Sequence, residues 1–271
     1  ARYYWKVKVY TNRGEADWSA PAFWSMGLLN EADWQGQWIG LDRTTPGDSE
    51  TQWSRLAARY LRKEFALSKE VKRATVHIAG MGLYELFING QRIGDQVLAP
   101  APTDYRKTIL YNTYDVTPQL RKENAIGVTL GNGRFYTMRQ NYKPYKIPTF
   151  GYPKLRLNLI VEYMDGSKET IATNTSWKLT TEGAIRSNNE YDGEEYDARK
   201  ELGNWTQSGY DDKSWIAAQR VSIPSGTLRA QIMPGMKVMD TLKPVSIQKL
   251  GDKYILDFGQ NMAGWMRFRI K

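Results

Sequence analysis

The chain has 271 residues, 41% of them apolar, and a formal charge of +9 from 38 basic and 29 acidic side chains. That apolar share supports a real core in one large domain or two smaller ones. The absence of cysteine excludes disulfides, thiol catalysis and cysteine-ligated zinc, and a single histidine excludes a histidine-based metal cluster.

Residues 1–27 predict two strands. Trp5, Val7 and Val9 alternate with Lys6 and Lys8, Asn12-Arg13-Gly14 makes a turn, and Phe23-Trp24-Ser25-Met26 forms the second run. Residues 28–52 are a connector, within which Trp34 to Gly40 opens the main domain and 44–49 is a loop by composition. Strands are expected at 60–65, 74–79, 108–114 and 124–130. Between the second and third lies the clearest local signal, Leu83 to Ile88 running into Asn89-Gly90 and on to Gly94. Asn-Gly between apolar-bearing runs specifies a type I′ hairpin, because both central residues need positive φ.

Gly131 to Tyr145 fits neither a period of two nor one of 3.6, so it is read as a long loop rich in aromatic and basic groups. Gly131-Asn132-Gly133 is a tight turn there; it lacks the lysine of a P-loop and the full dinucleotide spacing. Strands resume at 154–163, turn at Asp165-Gly166 and return through 169–172, with another beginning at Trp177. Arg156 and Asn158, set between leucines, predict a solvated sheet face. An acidic run follows at 187–199, and Asp211 to Trp215 reads as a capped single turn. Pro234-Gly235 marks the start of a new unit from about residue 233, with a strand at Tyr254 to Phe258. Both termini fall inside strand-like patterns, which predicts an excerpt of a longer protein.

The pattern is all-β: an antiparallel jelly-roll β-sandwich over residues 28–232, preceded by a strand pair at 1–27 like the end of a fibronectin type III sandwich and followed at 233–271 by the first strands of a second sandwich. No apolar run of about eighteen residues is present to cross a membrane as a helix. The positive charge could draw nucleic acid or acidic polysaccharide, but there is no basic block, zinc knuckle or recognition helix, and nucleic acid is set aside.

Two places could carry chemistry. The loop residues Arg134, Phe135, Tyr136, Arg139, Asn141, Tyr142 and Tyr145 combine ring faces with planar donors, a set that suits sugars; core packing is the alternative. In the acidic run, an extended backbone puts Glu190, Asp192 and Glu194 on one side. Clustered carboxylates can raise the pKa of a catalytic acid or bind calcium, or they can simply pair with Arg199, Lys200 and backbone amides. No other cofactor is expected. His77, inside a strand-like run, is read as a structural histidine and not as a triad base.

The Asn89-Gly90 hairpin, Thr103-Asp104-Tyr105, Tyr114 to Thr117 and Asn124-Ala125-Ile126 resemble jelly-roll domains of sugar-processing enzymes. Tyr191 to Arg199, Trp205 and Asp211 to Trp215 narrow this to a resemblance with the N-terminal region of bacterial α-L-rhamnosidases, glycoside hydrolase family 78. Asp257 to Asn261 with Gly264-Trp265 resembles the opening of the β-sandwich that follows in that family. The resemblance implies an inverting hydrolase of terminal α-L-rhamnose whose catalytic carboxylates lie on an (α/α)6 barrel. No run of long amphipathic helices is present here, so no catalytic residue can be assigned and this chain alone is expected to be inactive. The implied partners are the rest of the same polypeptide and a rhamnose-containing glycan. A periplasmic or extracellular location is expected over a cytoplasmic one. A rhamnose- and calcium-binding role for the jelly roll, known in some relatives, and a purely structural spacer are the alternatives.

Overall fold

The computed structural model describes residues 2–43, 56–137, 150–191 and 193–267. The chain divides into two compact units, Ala1–Met236 and Lys237–Lys271. The structure is all-β; among the described residues the helical pieces are three short 3-10 turns.

The first unit is built on two sheets. Seven strands form one, in the order Gln219–Arg220, Ile39–Gly40, Lys154–Tyr163, Val71–Met81, Thr108–Asp115 and Thr227–Ala230, with Lys168–Ala172 also paired on Lys154–Tyr163. Six form the other: Ile216–Ala217, Lys178–Thr180, Arg59–Ala66, Glu123–Gly131, Leu83–Ile88 and Gln91–Arg92. Among the described residues the pairings are antiparallel with one exception. Thr108–Tyr111 runs parallel to Thr227–Ala230, which corrects the purely antiparallel expectation. A parallel pair needs a long connection, and here more than a hundred residues lie between the two strands.

Period-two alternation sends one side of each strand inward. Leu155, Leu157, Leu159 and Val161 meet Val76 and Ile78 from the same sheet and Leu61, Leu86, Ile88, Val128 and Leu130 from the other, in one cluster with Trp177. Register is therefore set firmly, since a slip of one residue would turn this set outward. At the hairpin, Asn89 has φ 51° and Gly90 φ 83°, as the type I′ turn requires. Phe87 pairs with Arg92 and Ile88 with Gln91, but the return strand ends at Arg92, earlier than expected.

The outward sides are covered too, and this overturns one sequence reading. Arg156 and Asn158, expected in solvent, are 7% and 0% exposed. Residues 31–38 lie across them. Arg156 Nε donates to the Gly36 carbonyl at 2.6 Å and its guanidinium pairs with Glu31 and sits over the Trp34 ring. Asn158 Oδ1 accepts from the Gly36 amide at 2.8 Å, and its Nδ2 donates to the Asp33 carbonyl at 3.1 Å. Polar side chains tolerate burial here because each satisfies backbone groups of the covering segment. Trp34, Trp38, Tyr105, Tyr111 and Phe135 form a second apolar layer on this side. On the outer side of the six-stranded sheet, Tyr60, Trp205 and Trp215 form a third.

His77 lies under this cladding, 4% exposed, with Nδ1 3.0 Å from Thr113 Oγ1 and its ring edge-on to Trp34 and Tyr111. Burial lowers its pKa to about 4. It is a structural histidine, as read from the sequence.

Near the N-terminus, Arg2–Trp5 and Ala22–Ser25 pair antiparallel, with Tyr3 stacked on Trp24 at 4.6 Å. In the second unit, Ser246–Leu250 and Lys253–Asp257 form a hairpin.

Candidate functional site

Strand Glu123–Gly131 delivers the chain into the turn that carries the predicted sugar-binding loop. Asn132 pins that turn. Its side-chain amide donates to the carbonyls of Leu56 at 3.0 Å and Asn188 at 2.6 Å, and its backbone amide donates to Asn188 Oδ1 at 2.6 Å. Its own carbonyl accepts from the amides of Phe135 and Tyr136. The tight-turn reading of 131–133 holds. Gly82 is needed beside it, because φ is 119° there and a Cβ would come within 2.2 Å of the Gly131 carbonyl oxygen.

The pinned turn directs two of the expected sugar-stacking rings inward. Phe135 is fully buried, edge-on to Tyr105 at 5.0 Å and stacked on Phe150 at 6.0 Å. Tyr136 is 5% exposed and stacked on Tyr152 at 5.5 Å. Neither ring lies open to a sugar: the apolar layer on the outer sheet face takes Phe135, and Tyr136 is buried against Tyr152. Arg134 stays at the surface in a two-point ion pair with Glu190, Nη2 to Oε1 at 3.0 Å and Nε to Oε2 at 3.4 Å. Arg139, Asn141, Tyr142 and Tyr145 lie outside the described residues.

The acidic run forms a hairpin of Ile185–Asn189 with Gly193–Tyr196. Glu190 is neutralised by Arg134. Burial, and then the nearby Glu85 carboxylate, hold the pKa of Glu194 above the ordinary carboxylate range. Asp192 lies outside the described residues, and no group of three or more His, Asp or Glu side chains among them is placed to hold a metal ion. Asp197 caps the turn Ala198–Lys200, accepting from the Arg199 amide at 3.1 Å and from its Nε at 2.8 Å, which lowers its pKa to about 2. Lys200 pairs with Glu182 at 3.1 Å. The expected partnership of the acids with Arg199 and Lys200 is thus partly re-wired: Arg134 takes Glu190, and Lys200 reaches outside the run.

A cleft of about 600 Å3 opens beside the buried rings, lined by Asp42, Arg106, Phe150, Tyr152, Lys154 and the segment Ser222 to Pro224. Lys154 pairs with Asp42 in its wall. Sequence reading missed this site. Its residues come from four separated stretches, and none of them carries a local motif.

Comparison with known proteins gives a consistent picture. Residues 69–240 match the model of the α-L-rhamnosidase N-terminal domain, and residues 1–30 match that of a Rha78A-like N-terminal immunoglobulin domain. An α-L-rhamnosidase of Formosa agariphila is 39% identical over 99% of this chain and 30% of its own length. Among solved structures, an α-L-rhamnosidase from Dictyoglumus thermophilum superposes with a TM-score of 0.79 at 39% identity, over 96% of this chain and 29% of that one. One from Aspergillus terreus gives 0.83 at 33% identity, over 97% and 30%. The chain spans about 30% of the length of these relatives. On the match over residues 69–240, within a two-sheet fold shared with these enzymes, this chain belongs to the α-L-rhamnosidase N-terminal domain family.

Proposed function

We propose that this chain is the accessory β-region of an α-L-rhamnosidase, serving to pack against and position a catalytic barrel carried on the same polypeptide. On this reading residues 1–27, 28–232 and 233–271 belong to three successive β-domains of that enzyme, and the parent hydrolyses terminal α-L-rhamnose. The observation that carries it is the family match over residues 69–240 in a chain about 30% as long as its relatives. Cladding on both outer sheet faces supports a rigid support, since few backbone groups are left to move. The test is to incubate the purified chain with an aryl α-L-rhamnoside. Release no faster than in buffer is expected, and clear turnover would overturn the proposal.

A second reading, carbohydrate binding by the first unit, draws on the cleft beside Phe150 and Tyr152. Its size falls in the range of small-molecule pockets, roughly 300–1,000 Å3. Titration calorimetry with rhamnose and with rhamnogalacturonan fragments, with and without calcium, tests it. Saturable heat is expected, and flat traces with every sugar would end it.

A further inference from the structure

We propose that this cleft takes a carboxylate-bearing sugar, a uronic acid unit, with Arg106 as the residue that recognises the carboxylate. The inference rests on the carbohydrate-binding reading and narrows it to a chemical class.

Several groups lining the cleft are already engaged. Phe150 carries Phe135 on its ring and the Arg106 guanidinium 5.7 Å from its centroid. Tyr152 carries Tyr136 and the Arg59 guanidinium, the latter at 5.7 Å. Ring stacking, the usual anchor for a neutral sugar, therefore has little free aromatic face here. Lys154 and Asp42 neutralise each other. Arg106 is different. Asp104 holds it at Nε alone, at 3.1 Å, and the side chain remains 65% exposed. Its two Nη groups have no hydrogen-bond partner among the described residues. A guanidinium in the cleft lining, held by a ring beneath it and a carboxylate at Nε, keeps its two Nη groups as a planar pair of donors. That geometry matches a carboxylate bidentately, whereas a neutral hydroxyl uses only one donor.

Other lining residues fit the rest of such a ligand. Ile223 and Pro224 offer aliphatic surface to the C–H side of a sugar ring, and Ser222 adds a hydroxyl. Orientation follows: carboxylate toward Arg106, ring against Ile223 and Pro224. The net positive charge of the chain favours the same ligand sign at long range.

The test uses the 271-residue chain and four probes: galacturonic acid, glucuronic acid, the methyl ester of galacturonic acid, and L-rhamnose. Binding is followed by titration calorimetry at low and raised salt. At least one free acid is expected to bind, the ester at least about tenfold more weakly, and affinity for the acid should fall with salt. Arg106→Gln should weaken acid binding about tenfold or more. Ile223→Glu, at a position 39% exposed, should do the same by placing a like charge in the cleft. Circular dichroism of both variants should match the parent, as both sites are on the surface. Equal binding of acid and ester, or undiminished acid binding by Arg106→Gln, would overturn the proposal. Rhamnose binding without acid binding would sink this inference and leave the broader reading standing; no binding of any probe would sink both.

Discussion

The Asp212 carboxylate closes on the guanidinium of Arg62, a side chain only 1% exposed, across 150 positions of sequence. Arg62 sits on the outer side of the six-stranded sheet, where the alternation of Arg59–Ala66 calls for polar groups. It does not face water. Its Nε donates to the Trp205 carbonyl at 2.9 Å and an Nη group to the Gln207 carbonyl at 2.9 Å, while Glu64 provides a second carboxylate. Tyr210 lies over the guanidinium at 5.3 Å. One cation thus holds the segment around 205–212 against the sheet. Removing a cation of this kind leaves carbonyls and carboxylates without a partner.

Arg62→Ala is accordingly expected to destabilise the first unit by about 3 kcal/mol or more. Asp212→Ala should cost about 1–2 kcal/mol, because Arg62 keeps Glu64 and the carbonyls. Urea titrations of the two variants test the ranking. Equal midpoints for both would show that the cation is not the organising member.

Trp177 tests the central core. It is fully buried, and its Nε1 donates to the Ala172 carbonyl at 3.0 Å. Trp177→Ala should cost about 3–5 kcal/mol, the range for removing a large buried aromatic side chain. Trp177→Phe, which keeps much of the volume and loses the donor, should cost clearly less. Thermal melts of the pair read this difference.

Backbone geometry makes a sharper demand at Gly82. Alanine there would need φ near 119° and would push its Cβ into the Gly131 carbonyl. Gly82→Ala should therefore destabilise by more than the about 1 kcal/mol of an ordinary strained glycine site, and it should loosen the Asn132 turn. Faster amide exchange at Phe135 and Tyr136, whose amides bond the Asn132 carbonyl, would report the second effect. Unchanged exchange with unchanged stability would refute it.

His77 predicts a pH dependence. Its pKa falls from 6.5 to about 4 on burial, so the unfolded chain binds more protons between those values. The stability contributed by keeping His77 neutral is therefore present above pH 6.5 and is lost as pH falls toward 4. The size is about 3 kcal/mol across that window. Urea midpoints measured from pH 8 down to 4 should decline less steeply for His77→Gln than for the parent. Parallel declines would show that another group carries the slope.

Much of the fold could be read directly from residues. Asn89-Gly90 announced its hairpin because the turn conformation depends on two adjacent residues only. Strand Lys154–Tyr163 was expected over those same residues, since its leucines repeat at the pleat period. The rhamnosidase resemblance likewise rested on short motifs in order along the chain.

What alternation could not reveal is what covers the outward side of a strand. Arg156 and Asn158 look like solvent-facing residues until residues 31–38, more than a hundred positions away, supply hydrogen-bond partners to both side chains. Phe135 and Tyr136 have the composition of a sugar platform, yet beyond the Asn132 turn Phe135 enters a packed layer and Tyr136 is buried against Tyr152. Arg134 finds Glu190 across 56 positions, and the cleft gathers Asp42, Arg106, Lys154 and Ile223 from distant stretches. The amino-acid order by itself determined the long core strands, their inward faces and the family, because those depend on neighbours in the chain. Tertiary structure alone decided which polar and aromatic groups are buried, paired or left open, because burial depends on segments that only folding brings together.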